Sequence, residues 1–170
     1  MKILNIHGLN GSNTNTNYKL LCSEFPGAEI VSPQIDYESN SPEDILANLK
    51  SLCPNPDLIV GNSFGGFFAY ILGSCTGTKT LLVNPCIPPD KYIPNLVSGY
   101  RFKESLLALW STYADTNSNY FVILGNEDKV LDINTTLFYL KPKENEMAIV
   151  KGGHSLKGEE FIKAFKEGIR

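Results

Sequence analysis

The feature that most constrains this chain is a six-residue turn, Gly61-Asn62-Ser63-Phe64-Gly65-Gly66. An apolar run over residues 58–60 leads into it, and an apolar stretch of helical length, 64–74, leaves it. It fits G-x-S-x-G between strand and helix, the context that pattern requires. The turn is sharp, so the serine backbone is strained and its close neighbours must be small. Its hydroxyl then projects above the carboxyl end of a strand, beside a helix N-terminus that favours developing negative charge. Ser63 is therefore a candidate nucleophile.

The rest of the chain reads as short apolar runs alternating with longer amphipathic ones. Strands are predicted over 2–6, 29–32, 58–61, 80–84, 120–124 and 146–150. Helices are predicted over 17–24, 41–52, 64–74, 102–114, 134–140 and 155–169. Ser41-Pro42-Glu43-Asp44 is a clear helix start, with a capping serine, an early proline and acids near the positive dipole end. Residues 87–100 hold three prolines and are predicted irregular. Alternating strands and helices imply parallel pairing through right-handed crossovers. The continuous apolar runs suit strands covered on both faces. We expect one α/β domain over residues 1–170, a three-layer αβα sandwich around about six mostly parallel strands.

Composition narrows the function classes. Fifteen basic and eighteen acidic residues leave a formal charge of −3, with no basic run. That offers no footprint for nucleic acid or an anionic membrane. The first apolar stretch ends at His7-Gly8, too soon for a signal-peptide core, and the longest run is far too short to span a bilayer. A cytoplasmic location is the expectation. The four cysteines, Cys22, Cys53, Cys75 and Cys86, show no C-x-x-C pair, so they are expected to be reduced and mostly buried rather than zinc ligands. No cofactor motif is present: the Gly61 turn lacks G-K-[ST], and no G-x-G-x-x-G opens the first helix.

A serine nucleophile needs a base that takes its proton and returns it to the leaving group. His154, in Gly152-Gly153-His154 after the last predicted strand, is the candidate. The imidazole in turn needs a carboxylate. Asp128, Asp132 and Glu127 compete after the 120–124 strand; Asp128 ranks first, because Asp132 suits a helix cap and Glu127 suits solvent. Two backbone N–H groups are needed for an oxyanion. Phe64 supplies one by position, and the loop after the first strand, His7-Gly8-Leu9-Asn10, the other, with Leu9 ahead of Asn10. His7 itself is expected to brace that loop. Six aromatics, Phe64, Phe67, Phe68, Tyr92, Tyr100 and Trp110, are either acyl-pocket lining or core, and helical spacing favours core for Phe67 and Phe68.

The order serine, acid, histidine resembles that of the α/β-hydrolase superfamily. The opening His-Gly-Leu-Asn-Gly-Ser and the Gly-Asn-Ser-Phe-Gly-Gly turn resemble more closely the small bacterial YqiA-like (UPF0227) serine esterases. The resemblance runs from Lys2 to the final helix. It implies a compact hydrolase without a large lid and without the first strands of the full fold, with Ser63, Asp128 and His154 as a triad. The function it implies is hydrolysis of a small acyl ester or thioester, without a cofactor. The alternative is a catalytically silent relative that binds or regulates. Partners beyond a small acyl substrate, and the oligomeric state, are not legible.

Overall fold

The computed structural model describes residues 1–116 and 119–170. Among these, six strands form one sheet: β1 (Lys2–Ile6), β2 (Glu29–Val31), β3 (Leu58–Asn62), β4 (Thr80–Val83), β5 (Tyr120–Gly125) and β6 (Met147–Val150). Their order is β2-β1-β3-β4-β5-β6, and every neighbouring pair is parallel. The chain steps outward from β1 to β2, then returns to place β3 on the other side of β1. That reversal is a topological switch point, where the loops leaving β1 and β3 diverge and open a crevice.

Among the described residues, seven α-helices cover the sheet: α1 (Thr16–Glu24), α2 (Pro42–Leu52), α3 (Phe64–Thr76), α4 (Pro89–Leu96), α5 (Lys103–Tyr113), α6 (Ile133–Leu140) and α7 (Glu159–Gly168). Alternate strand residues feed two cores. Leu4, Ile6, Ile59, Leu82 and Val122 pack on the side of α2 to α6. Ile3, Leu58, Val60, Leu81 and Ile123 pack on the side of α1 and α7 with Leu21, Phe161 and Phe165. The architecture is therefore the expected three-layer α/β sandwich.

Local chemistry explains the element ends. Ser41 caps α2, its Oγ accepting from the Asp44 amide at 3.1 Å, with Pro42 in the first turn. Over Phe64 to Gly73 helix α3 is apolar all round, so that stretch is buried all round, and the helix stops at Gly77 in the left-handed region, φ +68°. Gly65 is the tight point. A Cβ there would collide with the carbonyls of Ile6 and His7, so only glycine lets α3 lie against the end of β1.

Three expectations change. Residues 87–100 are not irregular throughout, because Pro89 occupies a first-turn position and Asp90 follows, which starts α4. Pro94 removes only one helical hydrogen bond, and buried Ile93 anchors the segment. The last helix begins at Glu159 rather than residue 155, because Gly158 at φ +87° breaks the helical path before it. Finally, only Cys53 and Cys86 are buried. Cys22 and Cys75 lie on solvent-facing helix positions, and all four are free thiols.

Three substitutions test this packing. Gly65→Ala should lower stability by roughly 1–3 kcal/mol, since backbone on the far side cannot give way. Gly27→Ala, where a Cβ meets nothing within 4 Å, should change it by less than about 1 kcal/mol. Phe68→Ala should cost about 3–5 kcal/mol, because that ring is fully buried against Tyr37, Phe64 and Phe67. Urea denaturation of the three variants beside wild type measures all of these.

Candidate active site

Ser63 joins β3 to α3 with φ 51° and ψ −125°, a conformation L-residues adopt at a cost of about 1–3 kcal/mol. Three hydrogen bonds hold it there. Its N–H donates to the Val83 carbonyl at 3.0 Å, and its own carbonyl accepts from Gly66 at 2.9 Å and Cys86 at 2.8 Å. The strain is thus imposed by the end of β4 and the segment after it, and it turns the hydroxyl out of the sheet.

That hydroxyl lies 2.9 Å from His154 Nε2, and His154 Nδ1 lies 2.8 Å from Asp128 Oδ2. A carboxylate only accepts, so Nδ1 carries the imidazole proton and Nε2 is left to accept from Ser63 Oγ–H. The Asp128 side chain is 3 % exposed and that of His154 26 %. Burial pushes the Asp128 carboxyl up. Hydrogen bonds from His154 and from the Leu131 and Val130 amides outweigh it and hold the group below the usual aspartate range. Asp132 caps α6, accepting from the amides of Asn134 and Thr135, and Glu127 is exposed. Neither meets His154. Of the three carboxylates weighed from sequence, Asp128 alone reaches the imidazole.

The loop after β1 closes the other side. His7 is buried, and its Nε2 accepts from the Ile35 amide at 2.9 Å. The ring proton therefore sits on Nδ1, which donates to the Gly8 carbonyl at 2.7 Å. Desolvation holds this imidazole below its ordinary pKa, despite that bond. Tyr37 Oη donates to the His7 carbonyl, so the loop is braced from two sides. Gly11 N–H returns to the Gly8 carbonyl at 3.0 Å, with Asn10 at φ 54° inside the turn. This presents Gly8, Leu9 and Asn10 to the same cleft as Ser63 and His154. Phe64, whose side chain is buried, opens α3, so its N–H is one of the helix amides without an intrahelical acceptor.

One residue that sequence reasoning missed joins the pieces. Asn84 follows β4, is 3 % exposed and has φ 40°. Its Nδ2 donates to the carbonyls of Gly153 at 3.1 Å and His154 at 3.0 Å, while its Oδ1 accepts from Gly125 N–H at 2.7 Å. It thereby ties the histidine loop to the end of β5, from which the Asp128 loop departs. The two loops also bond directly, Glu127 N–H to the Gly152 carbonyl at 2.9 Å. The only signal in the sequence is a polar residue ending an apolar run before proline.

The cleft at Ser63 measures about 280 Å³. Its walls are mainly polar, with Asn10, Asn15, Thr16, Asn17 and Asn62 prominent. None of the six aromatics lines it. Phe64, Phe67, Phe68 and Trp110 are buried in the core, and Tyr92 and Tyr100 are partly buried against it. Among the described residues no cluster of three or more His, Cys, Asp or Glu is placed to hold a metal, and no helix is long and apolar enough to cross a membrane.

Known structures share this fold at low sequence identity. Est1E from Butyrivibrio proteoclasticus is 14 % identical, with a TM-score of 0.72 over 98 % of this chain and 85 % of that one. The esterase domain of a Rhodothermus marinus protein is 15 % identical, with a TM-score of 0.65 over 99 % and 83 %. A lidless α/β serine hydrolase from Xanthomonas campestris is 13 % identical, with a TM-score of 0.60 over 99 % and 80 %. At these identities the likeness shows the α/β-hydrolase fold. No curated protein matches the sequence. Residues 2–167 match the family model of UPF0227. With nearly the whole chain covered, this protein belongs to the uncharacterised protein family UPF0227.

Proposed function

We propose that this protein is a serine hydrolase that cleaves a small acyl ester or thioester. The observation that carries the reading is the unbroken hydrogen-bonded path from Asp128 through His154 to Ser63. Ser63 Oγ attacks the acyl carbon as His154 Nε2 takes its proton. The N–H groups of Phe64 and Leu9 receive the negative charge that builds on the carbonyl oxygen. The tetrahedral intermediate collapses, the leaving group departs with the proton from His154, and Ser63 holds the acyl group. Water then attacks with His154 again as base, and the acid is released. Asp128 stays ionised throughout and stabilises the imidazolium. Asn84 acts through the loops, as a positioning residue. No cofactor enters any step.

A fluorophosphonate probe tests the reading without a known substrate, because it needs only an activated serine and oxyanion donors. Wild type should label, and Ser63→Ala should not. Asp128→Asn should slow turnover of an activated ester roughly a thousand- to ten-thousand-fold. A folded wild type that fails to label overturns the proposal and favours a silent, binding relative.

Two further outcomes follow from the same geometry. Asn84→Asp sets an acceptor against the Gly153 and His154 carbonyls. It should lower kcat about 100-fold and leave KM within about threefold, the signature of misplaced rather than missing groups. The lowered folded-state value of Asp128 stabilises the fold above the unfolded aspartate pKa of about 3.9, and this stabilisation is lost as pH falls through the folded value. The stability gap between wild type and Asp128→Asn should therefore narrow as pH is taken from 7 to below about 4, read by chemical denaturation at each pH.

A further inference from the structure

The cleft beside Ser63 holds unused donors on one wall. Helix α1 begins there, with Asn15 as its cap and Thr16 and Asn17 in its first turn. Of its leading amides, Asn15 N–H reaches the Ser12 carbonyl at 3.2 Å and Tyr18 N–H reaches Asn15 Oδ1 at 2.9 Å. Among the described residues the amides of Thr16 and Asn17 have no acceptor. The Asn17 side chain gives a second, independent sign. That residue is 3 % exposed, lines the cleft, and its Nδ2 is buried with no partner. A buried amide nitrogen without an acceptor is destabilising, because its lost hydration is not replaced. Such a cost is tolerated where an occupant of the cleft supplies the missing oxygen.

The donors are fixed relative to the nucleophile. Asn15 Nδ2 donates to Asn62 Oδ1 at 2.9 Å, so the start of α1 is pinned to the residue before Ser63. The charge of the wall has one sign. No Asp or Glu lines the cleft, its sole titratable side chain is His154, and the α1 dipole presents its positive end. Donors without acceptors, and a positive field without a carboxylate, suit an oxyanion.

We infer that the substrate carries an anionic oxygen group, a carboxylate or phosphate separate from the bond cleaved, held by the Thr16 and Asn17 amides and Asn17 Nδ2. This rests on the hydrolase reading and narrows it to polar, charged acyl compounds of small size. The apolar part of the lining is confined to Leu9, Val83, Leu156 and Phe161.

The first test needs no variant. Glutarate and inorganic phosphate are added separately to the wild-type enzyme hydrolysing 4-nitrophenyl butyrate, with sodium chloride at equal ionic strength as control. At least one of the two should inhibit competitively at millimolar concentration where chloride does not, and the stronger one identifies the group. Asn17→Asp, which sets a like charge at the site, should raise its Ki by at least about tenfold. Failure of both anions to exceed chloride overturns the inference and leaves the hydrolase reading standing. If the wild type hydrolyses no ester, that reading fails first, and thermal stability decides the subsite. A rise in Tm with glutarate or phosphate over chloride, lost in Asn17→Asp, sustains it; no rise overturns it.

Discussion

The strained backbone of Ser63 is the constraint on which the rest of the structure depends. A residue at φ 51° persists only where its surroundings leave it no alternative. Here its N–H is held by β4, its carbonyl by the segment that follows β4, and the helix behind it by the end of β1. Three consecutive elements of the sheet must be in register before the hydroxyl points anywhere useful. The requirement runs both ways. Because α3 must approach β1 and β3 closely, the turn needs Gly61 and Gly65, and because α3 is sheathed as far as Gly73, its other positions over that stretch are apolar or aromatic.

The parallel sheet then supplies the other groups with little extra structure. Each strand delivers its next loop at the same edge, so residues separated by 91 positions, Ser63 and His154, meet within hydrogen-bond distance. What strand order alone does not supply is the relative height of the loops after β5 and β6. Asn84 does this, with one side chain bonded to both. Two hydrogen bonds donated to carbonyls and one accepted from an amide use nearly the whole capacity of an asparagine side chain. No other residue of that size offers both donors and an acceptor with tolerance of positive φ.

Much of this was legible in the sequence, for reasons that differ by residue. Ser63 was legible because its turn needs a rare local composition. His154 was legible because two histidines leave little choice. Asp128 was separable from Asp132 because a helix cap already accounts for Asp132, and the cap is indeed there. Asn84, Asn15 and Asn17 were not legible. Their roles arise from contacts across the sheet edge, and an asparagine in a loop looks the same whether it binds solvent or holds two strands' loops together. The α4 segment misled for the opposite reason: its prolines are a strong local signal, and burial of Ile93 overrides them.

The fate of the aromatics links core size to recognition. A 170-residue chain with a fully covered sheet has two cores to fill, and the rings of Phe64, Phe67, Phe68 and Trp110 fill the one beneath the turn. They stack on one another and on Tyr37 and Tyr70, so none of them reaches the cleft, where Phe161 from the opposite core is the phenyl ring on the wall. The walls above are left to short loops, and short loops are built from the residues that turn and cap, asparagine, threonine, serine and glycine. Such walls offer mainly hydrogen-bonding groups, beside the apolar Leu9, Val83, Leu156 and Phe161. A cleft of this kind discriminates by the cost of leaving a donor unpaired, which penalises a plain alkyl group more than a pocket of rings would penalise a polar one. Compactness of the fold and polarity of the site therefore have one cause.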